Sequence, residues 1–300
     1  MRWRNLLWNT AVLEAAAQDP FDIGKARLVK LFSSKKIAST GRRIHTQADP
    51  FLLRHGSYLY LFLEVQEVGH PGRIDAYRTT DILEFEPLGT ILQCAHHVSY
   101  PMVFTAEGTT YMIPETGEAN EVALYAFADF PRGLVRVRRL LHGVYWDTSI
   151  LFHEGLWWFF TTSPRGLEIF HAAHLAAPLQ PHPMNPITND PARARCGGAI
   201  VRHGDHFYRP AQDGSRGYGG NLSLMRIDEL STAEYRESLA KEALFDRLAP
   251  WRSAGAHHLS MAEFGGRTIL AVDGKQPDYW INRPLSGLFR LISNPARSLE

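Results

Sequence analysis

Residues 49–64 read DPFLLRHGSYLYLFLE, and the pattern of this stretch decides the fold. An apolar run leads to a polar turn at Gly56, and a second apolar run ends at Glu64, which is typical of a β-hairpin. Four later stretches share the pattern and its length: 100–115 (YPMVFTAEGTTYMIPE), 147–162 (DTSILFHEGLWWFFTT), 198–213 (GAIVRHGDHFYRPAQD) and 258–273 (HLSMAEFGGRTILAVD). The frame of 198–213 is set to match the others, because its turn glycine comes early. The chain therefore contains five hairpins at a period of roughly 50 residues.

A third strand-like segment follows each hairpin. These segments are GRIDAYRTT, EVALYAFADF, GLEIFHAAHL, GNLSLMRI and SGLFRLIS, and PLGTILQ and VRVRRLL suggest a fourth, outer strand in some units. Five antiparallel units of three or four strands predict an all-β fold, a five-bladed β-propeller. The segment RLVKLF (27–32) could supply the outer strand that closes the ring. The alternative is a β-sandwich whose periodicity arose by chance.

Helical periodicity is confined to residues 1–18 and 231–245. We therefore expect a short N-terminal helical segment, with residues 1–44 forming that helix and a ring-closing segment. Residues 45–300 would form the propeller as a single domain. Because Asn9, Thr10 and Glu14 interrupt the apolar residues at the start, a signal peptide is not expected.

Composition excludes several classes of function. The 32 basic and 31 acidic residues give a net charge of +1, so neither a nucleic acid nor an anionic membrane is expected as a partner. No apolar run approaches the roughly 20 residues of a membrane span. The two cysteines, Cys94 and Cys196, form no disulfide framework, which favours a reducing compartment and a cytoplasmic location.

The hairpin period determines where the polar ends of the hairpins lie. In a propeller blade the innermost strand lines the channel and the next strand runs back, so both ends of each hairpin reach the same mouth of the disc. The ten positions that converge there are Asp49, Tyr100, Asp147, Gly198 and His258 at the first position, and Glu64, Glu115, Thr162, Asp213 and Asp273 at the last.

Several carboxylates around one mouth indicate acid and base chemistry. Like charges and burial raise the pKa of a carboxyl group, which can leave one acid protonated beside ionised ones, as glycosidic bond cleavage requires. We expect Asp49, Glu115 and Asp147 to be catalytic. The expected substrate-binding residues are Glu64, Tyr100, Trp146, Arg209, Gln212, Asp213, Arg216, Tyr218, His257 and His258, and Tyr145, Trp157 and Trp158 could also stack on sugar rings. Each acidic residue alone could instead form a turn or cap backbone amides.

Other catalytic motifs are not apparent. His171 and His174 lie on a predicted strand and would face opposite sides, so they are not expected to share a metal ion. The glycine-rich run DGSRGYGG (213–220) lacks the lysine and the following helix of a phosphate loop. No arrangement of Ser, His and Asp or of Cys and His is recognisable.

ADPFLL and AHHLSM, together with the hairpin period, resemble glycoside hydrolase family 43 and its five-bladed propellers. The resemblance implies that Asp49 is the general base. It also implies that His258, or His257, lies in the channel near a possible calcium-like cation, with no other cofactor required. The chain departs from the family pattern at Tyr100 and Asp147, where the family has a second aspartate and the catalytic glutamate.

Residues from about 45 to 230 bear a closer resemblance to a second group. ADPFL, HVSYPMVF, MIPET, WDTSILF, PHPMNPI and YRPAQDGSRGYGGNLSL resemble the propeller domains similar to the N-terminal part of plant glucosamine inositolphosphorylceramide transferases. That resemblance implies a sugar-related context, a sugar or glycoconjugate substrate, and a sugar-modifying enzyme as a possible partner.

Three functions remain open from the sequence. The first is a carbohydrate-active enzyme acting at a glycosidic bond, with Asp49 as base and either Glu115 or Asp147 as acid. The second is a glycosyltransferase, or a partner of one, in glycolipid or surface-polysaccharide assembly, with Arg209 and Arg216 facing a phosphate. The third is a propeller that binds sugar without catalysis.

Overall fold

The structure, a computed structural model, describes residues 6–34 and 41–278. The strands of these residues lie in sheets of eight, four, four and five strands, and they divide into five blades of a propeller. The eight-stranded sheet contains the first and fifth blades, which a parallel bridge between Trp8 and Thr46 joins. The first blade contains β3 (Ile44–His55), β4 (Tyr58–Glu67), β5 (Arg73–Thr79) and β6 (Glu86–Leu92). The second contains β7 (Ser99–Ala106), β8 (Thr109–Glu115), β9 (Glu121–Asp129) and β10 (Arg132–His142), with a 3-10 turn at Gly117–Ala119.

The remaining blades follow the same plan. The third contains β11 (Trp146–His153), β12 (Leu156–Ser163), β13 (Gly166–Ala172) and β14 (Gln180–Pro181). The fourth contains β15 (Arg195–Cys196), β16 (Val201–His203), β17 (His206–Asp213), β18 (Asn221–Leu230) and β19 (Tyr235–Lys241), and a 3-10 turn follows at Pro250–Arg252. The fifth contains β20 (Leu259–Phe264), β21 (Arg267–Pro277), β1 (Leu6–Glu14) and β2 (Arg27–Phe32).

The innermost strands of the blades follow one another around an axis. β3 contacts β7, β7 contacts β11, and β11 contacts β15. A parallel bridge between Gly198 and Leu259 joins the fourth blade to the fifth, and β20 contacts β3, which completes the ring. The prediction of a five-bladed propeller is therefore confirmed.

Burial explains why the inner strands read as apolar runs. In a propeller the blades stack face to face, so both faces of an inner strand are covered. β4 and β12 are accordingly buried along most of their lengths, whereas the outer strands β6 and β10 are mostly exposed, and β10 carries several arginines. Trp158 belongs to the buried core between blades and Trp157 packs against that core, so neither is available to a sugar.

The N-terminal helix predicted from the sequence is wrong. Residues Leu6–Glu14 form β1, which pairs antiparallel with β21 along its whole length. Asn9 is buried, and its amide donates hydrogen bonds to the carbonyls of Trp251 and Gly274. Tertiary pairing of this kind outweighs a weak local periodicity. RLVKLF is the outer strand β2 on β1, whereas SGLFRLIS lies outside the described residues.

The helical periodicity of residues 231–245 does not correspond to a helix either. Tyr235–Lys241 is β19, the outer strand of the fourth blade, and it pairs with β18. Cys94 and Cys196 are unpaired, as expected. In the described part of the chain, no helix has the length and apolar character needed to cross a bilayer.

Candidate functional site

A left-handed backbone conformation recurs at the first residue of three hairpins. Asp49, Tyr100 and Asp147 have φ values of 50°, 45° and 54°, which are left-handed. At each of them the register between the inner strand and the next strand shifts. Such bulges redirect a side chain at the cost of backbone strain, and they are frequent beside active sites. The sequence period predicted the convergence of these residues but not the bulges.

A cavity of about 330 Å³ opens at the mouth of the channel. Asp49 and Glu64 from the first blade and Glu115 from the second line it. With Trp146, Tyr218 and His257, six of the predicted site residues are brought together. The lining residues are Trp8, Thr46, Ala48, Asp49, Glu64, Gln66, His97, Ser99, Glu115, Glu118, Trp146, Arg195, Tyr218 and His257.

Asp49, Glu64 and Glu115 are buried, whereas Glu118, the fourth acidic residue of the cavity, is exposed. None of the three buried carboxyl groups is paired with an arginine or lysine among the described residues. Burial, and then the charges of Asp147 and Asp273, raises the pKa of Asp49 to about 7, although His257 opposes the shift. Burial and Asp147 raise the pKa of Glu115 to about 7. Burial, followed by the charges of Asp49 and Glu115, raises the pKa of Glu64 well above its ordinary value. Protonated and ionised carboxyls therefore coexist near neutral pH.

Local contacts fix the orientation of Glu115. Its Oε1 accepts a hydrogen bond of 2.6 Å from the backbone N–H of Gly117, in the 3-10 turn that follows β8. A Cβ at Gly117 would lie 2.6 Å from that oxygen, so this position needs glycine. Ser99 also donates to Glu115 Oε2 at 3.4 Å. The side chain is thus directed into the cavity by its own turn.

Asp147 lies behind the cavity and does not line it. Its Oδ2 accepts hydrogen bonds from Arg195 Nε at 2.6 Å and from Gln212 Nε2 at 2.9 Å. Burial alone would lower the pKa of Arg195, but the charge and hydrogen bond of Asp147, together with Tyr218 and Asp49, raise it. Asp147 therefore positions the guanidinium of Arg195, the arginine that lines the cavity in the described part of the chain, and Glu115 is the better placed of the two predicted acids.

A second group joins the fifth blade to the cavity. Asp273 Oδ2 lies 2.5 Å from His257 Nδ1, and its Oδ1 accepts the backbone N–H groups of His257 and His258. The hydroxyl of Tyr218 lies 2.7 Å from His257 Nε2. Burial by itself would raise the pKa of Asp273, but the neighbouring His257 makes the net shift downward. Burial by itself would lower the pKa of His257, but the neighbouring Asp273 makes the net shift upward.

Two predicted binding residues lie below the cavity in the channel. The Tyr100 hydroxyl is bonded to Ser149 Oγ at 2.7 Å, donates to the carbonyl of Gly198 at 3.0 Å and accepts from its N–H at 2.7 Å. His258 is fully buried against the rings of Phe51 and Tyr100, and burial lowers its pKa to about 3. Tyr100 therefore joins three blades, and neither residue lines the cavity described above.

Three other predicted binding residues have structural roles or lie elsewhere. Arg209 is fully buried in the fourth blade, where its Nε and Nη2 donate to Glu237 at 2.9 and 2.7 Å. Asp213 accepts hydrogen bonds from the backbone and hydroxyl of Ser215, so it forms a turn. Arg216 is exposed and lines neither of the two mouth cavities.

A second cavity of about 340 Å³ adjoins the first. Both cavities are lined by Trp146, Arg195 and Tyr218, which form the wall between them. Gln212 lines the second cavity, together with Arg165. The guanidinium of Arg195 lies 5.2 Å from the centre of the Tyr218 ring. The mouth thus offers an acidic compartment beside one with two cationic side chains.

Sequence reasoning missed Trp8, Arg195, Ser99 and the pair His97 and Glu118. Arg195, His97 and Ser99 lie one to three positions before the first residue of a hairpin, in segments that only the positions of the neighbouring repeats could have indicated. Trp8 was missed because its segment was predicted to be helical. In β1 it stacks on the ring of His257 with a centroid distance of 4.2 Å.

The predicted channel cation has a candidate donor set in Asp49, His257 and Asp273, whose ligand atoms lie within 4.8 Å of one another. Both ring nitrogens of His257 already face partners, Asp273 and Tyr218. Calcium takes roughly six to eight oxygen ligands, whereas this set contains an imidazole and two carboxylates. These residues therefore do not fit a calcium ion, and the cation stays a prediction from the resemblance.

Solved structures with the same architecture include glycosidases. A structure of RS223-β-xylosidase superposes with a TM-score of 0.55 at 11% identity, covering 77% of this chain and 95% of that one. The GH43_1 enzyme from Xanthomonas citri complexed with xylotriose superposes with a TM-score of 0.56 at 14% identity, covering 77% of this chain and 87% of that one. At such identities the similarity shows the fold alone.

Sequence comparison gives the family. Glucosamine inositolphosphorylceramide transferase 1 from Arabidopsis thaliana is 33% identical over 243 residues, which are 76% of this chain and 32% of that protein. The protein of the same name from Oryza sativa subsp. japonica is 32% identical over 243 residues, again 76% of this chain and 33% of that one. The chain thus spans about a third of these relatives. The model of the family "Glucosamine inositolphosphorylceramide transferase 1, N-terminal" matches residues 30–275, and this chain belongs to that family.

Proposed function

We propose that this chain is a carbohydrate-active enzyme that acts at a glycosidic bond in the acidic cavity. The observation that carries the proposal is the pair of Asp49 and Glu115, which line one cavity and whose pKa values are both raised to about 7. A carboxyl group with a pKa near the working pH can give and take protons with equal ease. The sugar-related names of the relatives and the glycosidases of the same fold agree with this proposal.

Two carboxyl groups then have separate tasks. Glu115, when protonated, donates its proton to the oxygen that leaves the anomeric carbon. Asp49, when ionised, accepts the proton of the water or acceptor hydroxyl that attacks that carbon. Trp146 and Trp8 provide aromatic faces for the sugar ring, and Arg195 donates hydrogen bonds to its hydroxyl groups or to an anionic substituent.

The first experiment is the substitution Asp49→Asn, assayed against a panel of nitrophenyl glycosides and a panel of sugar nucleotides with glycan acceptors. We expect turnover to fall at least about 10³-fold, because the amide accepts no proton, while the circular dichroism spectrum stays unchanged. Glu107→Gln, on an exposed turn distant from the cavity, is the control and should leave turnover unchanged. Full turnover by Asp49→Asn would remove Asp49 from the mechanism.

Transfer to an acceptor is the second candidate function, and the second cavity favours it. Arg165 and Arg195 line that compartment beside the acidic one, which suits an anionic group on a donor or acceptor. This replaces the prediction that Arg209 and Arg216 face a phosphate. Turnover of sugar nucleotides without release of free sugar would distinguish transfer from hydrolysis. Glycan binding that survives both Asp49→Asn and Glu115→Gln, with no turnover of either panel, would favour a non-catalytic role.

The cellular setting proposed for this activity comes from sequence alone. A cytoplasmic location and a sugar-modifying partner enzyme stay predictions. Co-purification of the chain from its native host, with the bound proteins identified by mass spectrometry, is the direct measurement of the partner.

A further inference from the structure

His97 and Glu64 face each other in the acidic cavity without a direct hydrogen bond. Both residues line the cavity, and His97 Nε2 lies 3.5 Å from Glu64 Oε1. The Glu64 side chain is only 8% exposed, yet its carboxyl group accepts no hydrogen bond from any residue that the structure describes. Buried polar groups in folded proteins are almost always hydrogen-bonded. The carboxyl group of Glu64 therefore requires a partner that the described residues do not supply.

A backbone contact determines which nitrogen of His97 carries the proton. Nδ1 lies 3.1 Å from the backbone nitrogen of Gly72, whose N–H can only donate. Nδ1 is therefore the acceptor and carries the lone pair, so the proton of the neutral ring lies on Nε2. Burial lowers the pKa of His97, which agrees with a neutral ring. The cavity thus presents Nε2–H as a donor beside the Glu64 carboxyl group as an acceptor.

The backbone around Gly72 holds both side chains in place. The N–H of Val98 donates to the carbonyl of Gly72 at 3.3 Å, so the segment that carries His97 is bonded to Gly72 at two points. The backbone N–H of His97 also donates to Glu118 Oε2 at 2.9 Å. A Cβ at Gly72 would lie 2.8 Å from His97 Cε1 and 2.9 Å from Glu64 Oε1. Glycine at this position therefore lets the imidazole and the carboxyl group approach each other.

A donor and an acceptor placed side by side select a ligand group that can do both. A hydroxyl oxygen accepts a hydrogen bond from Nε2–H and donates its own proton to the carboxyl oxygen. The carboxyl group keeps an acceptor oxygen whether it is ionised or protonated. An ether oxygen can only accept, and a C–H group does neither. The pair therefore favours a hydroxyl group over its methyl ether and over the deoxy analogue.

We propose that His97 and Glu64 recognise one hydroxyl group of the ligand and thereby determine specificity. The proton transfers assigned above to Asp49 and Glu115 use neither of these two residues. Because Asp49 and Glu115 line the same cavity, the recognised hydroxyl lies on the sugar whose bond reacts. That the ligand is a sugar rests on the proposed function, whereas the assignment of donor and acceptor does not.

The first test measures whether discrimination between ligands depends on His97. A sugar or glycoside that the wild type turns over or binds in the panels above is compared with its monodeoxy analogues, one for each hydroxyl group. For one analogue we expect kcat/KM, or the association constant where there is no turnover, to fall at least about 10²-fold in the wild type, because the buried pair loses its partner. In His97→Phe the same analogue should lose less than about tenfold. Equal discrimination by both proteins at every position would overturn the proposal.

Two further variants separate recognition from a merely structural role. His97→Gln places an amide N–H where Nε2–H stood, so it should discriminate better than His97→Phe. Equal discrimination by these two variants would contradict the role of the N–H donor. His203→Phe, at an exposed histidine that lines neither mouth cavity, is the control and should discriminate as the wild type does.

A measurement without ligand decides the position of the proton. In the ¹⁵N-labelled full chain, the ring nitrogen shifts of His97, assigned with the help of His97→Phe, distinguish a protonated nitrogen from a bare one. We expect the proton on Nε2, and a proton on Nδ1 would overturn the inference even if glycosides are turned over. Absence of binding and turnover in every panel would refute the proposed function, and the nitrogen shifts would still decide whether Nε2–H is the donor.

Discussion

Two clusters of buried charge in this molecule differ in how their charges are matched. In the fourth blade, Arg209 and Glu237 face each other through two hydrogen bonds of 2.9 and 2.7 Å, and the Tyr235 hydroxyl donates a third to Glu237 at 2.7 Å. At the mouth of the channel, Glu64 and Glu115 share a cavity with Asp49, and the Arg195 guanidinium is bonded to Asp147 instead.

The difference shows that buried charge alone does not mark a functional site. A matched pair closed off from solvent stabilises one arrangement of its own blade. Buried carboxyl groups that are not paired with an arginine or lysine and face a cavity remain available to a ligand, and their raised pKa values are the cost. The same substitution, glutamate to glutamine, should therefore have opposite effects in the two clusters.

The largest effect is expected from Glu237→Gln. The substitution leaves the Arg209 guanidinium fully buried without its counter-charge, which should lower the free energy of unfolding by about 3–5 kcal/mol. Urea denaturation followed by tryptophan fluorescence measures it. Arg236→Ala, which removes a pair with Glu229 on an exposed side chain, is the control, and we expect about 0–1 kcal/mol there. Equal losses of unfolding free energy in the two variants would show that the buried pair stabilises the protein no more than the exposed pair does.

Glu115→Gln should stabilise the protein by about 1–3 kcal/mol at pH 8, because the folded state no longer holds a buried charge. The pKa of Glu115 is about 7 in the folded chain against 4.5 for the ordinary group. The wild type therefore loses stability as the pH rises from the unfolded value to the folded one, and the loss is constant above it. The advantage of the variant should disappear below about pH 4.5. Thermal denaturation at pH 4, 6 and 8 measures this, and a destabilised variant at pH 8 would contradict it.

Tyr100→Phe should lower the free energy of unfolding by about 1–3 kcal/mol and leave sugar binding unchanged. The phenylalanine keeps the ring contacts with Phe51 and His258 but leaves the N–H of Gly198 without its acceptor in a buried position. Urea denaturation measures the stability. Isothermal titration calorimetry with a sugar that the wild type turns over or binds in the panels above measures binding. If the variant bound sugar more weakly at unchanged stability, Tyr100 would be a sugar-binding residue, as the sequence predicted.

The fold could be predicted because the propeller repeats its signal. Each hairpin is an apolar run, a glycine turn and an apolar run of fixed length, and five copies make the interpretation robust against one unusual unit. The fixed length also predicted that Asp49, Glu64 and Glu115 approach one cavity. β1 could not be predicted, because its pairing partner β21 lies more than 250 positions away in the sequence.

Individual site residues were harder to predict than the site. Arg209 and Arg195 are both arginines near glycine-rich segments. Whether each one lines the cavity depends on the face of the strand from which its side chain extends. Arg209 faces Glu237 between strands, whereas Arg195 faces Asp147 and the cavity. Distance from the start of a hairpin does not reveal this difference, because it depends on partners distant in sequence: Glu237 on β19 of the same blade and Asp147 on β11 of the third blade.

The pairing of β1 with β21 has a consequence for the timing of assembly during synthesis. Trp8 of β1 precedes His257 and Asp273 in the sequence by four blades, so it is synthesised well before them. Until β1 pairs with β21, the acidic cavity lacks the wall that Trp8 and His257 provide. The order of synthesis therefore makes this wall the last part of the cavity to form.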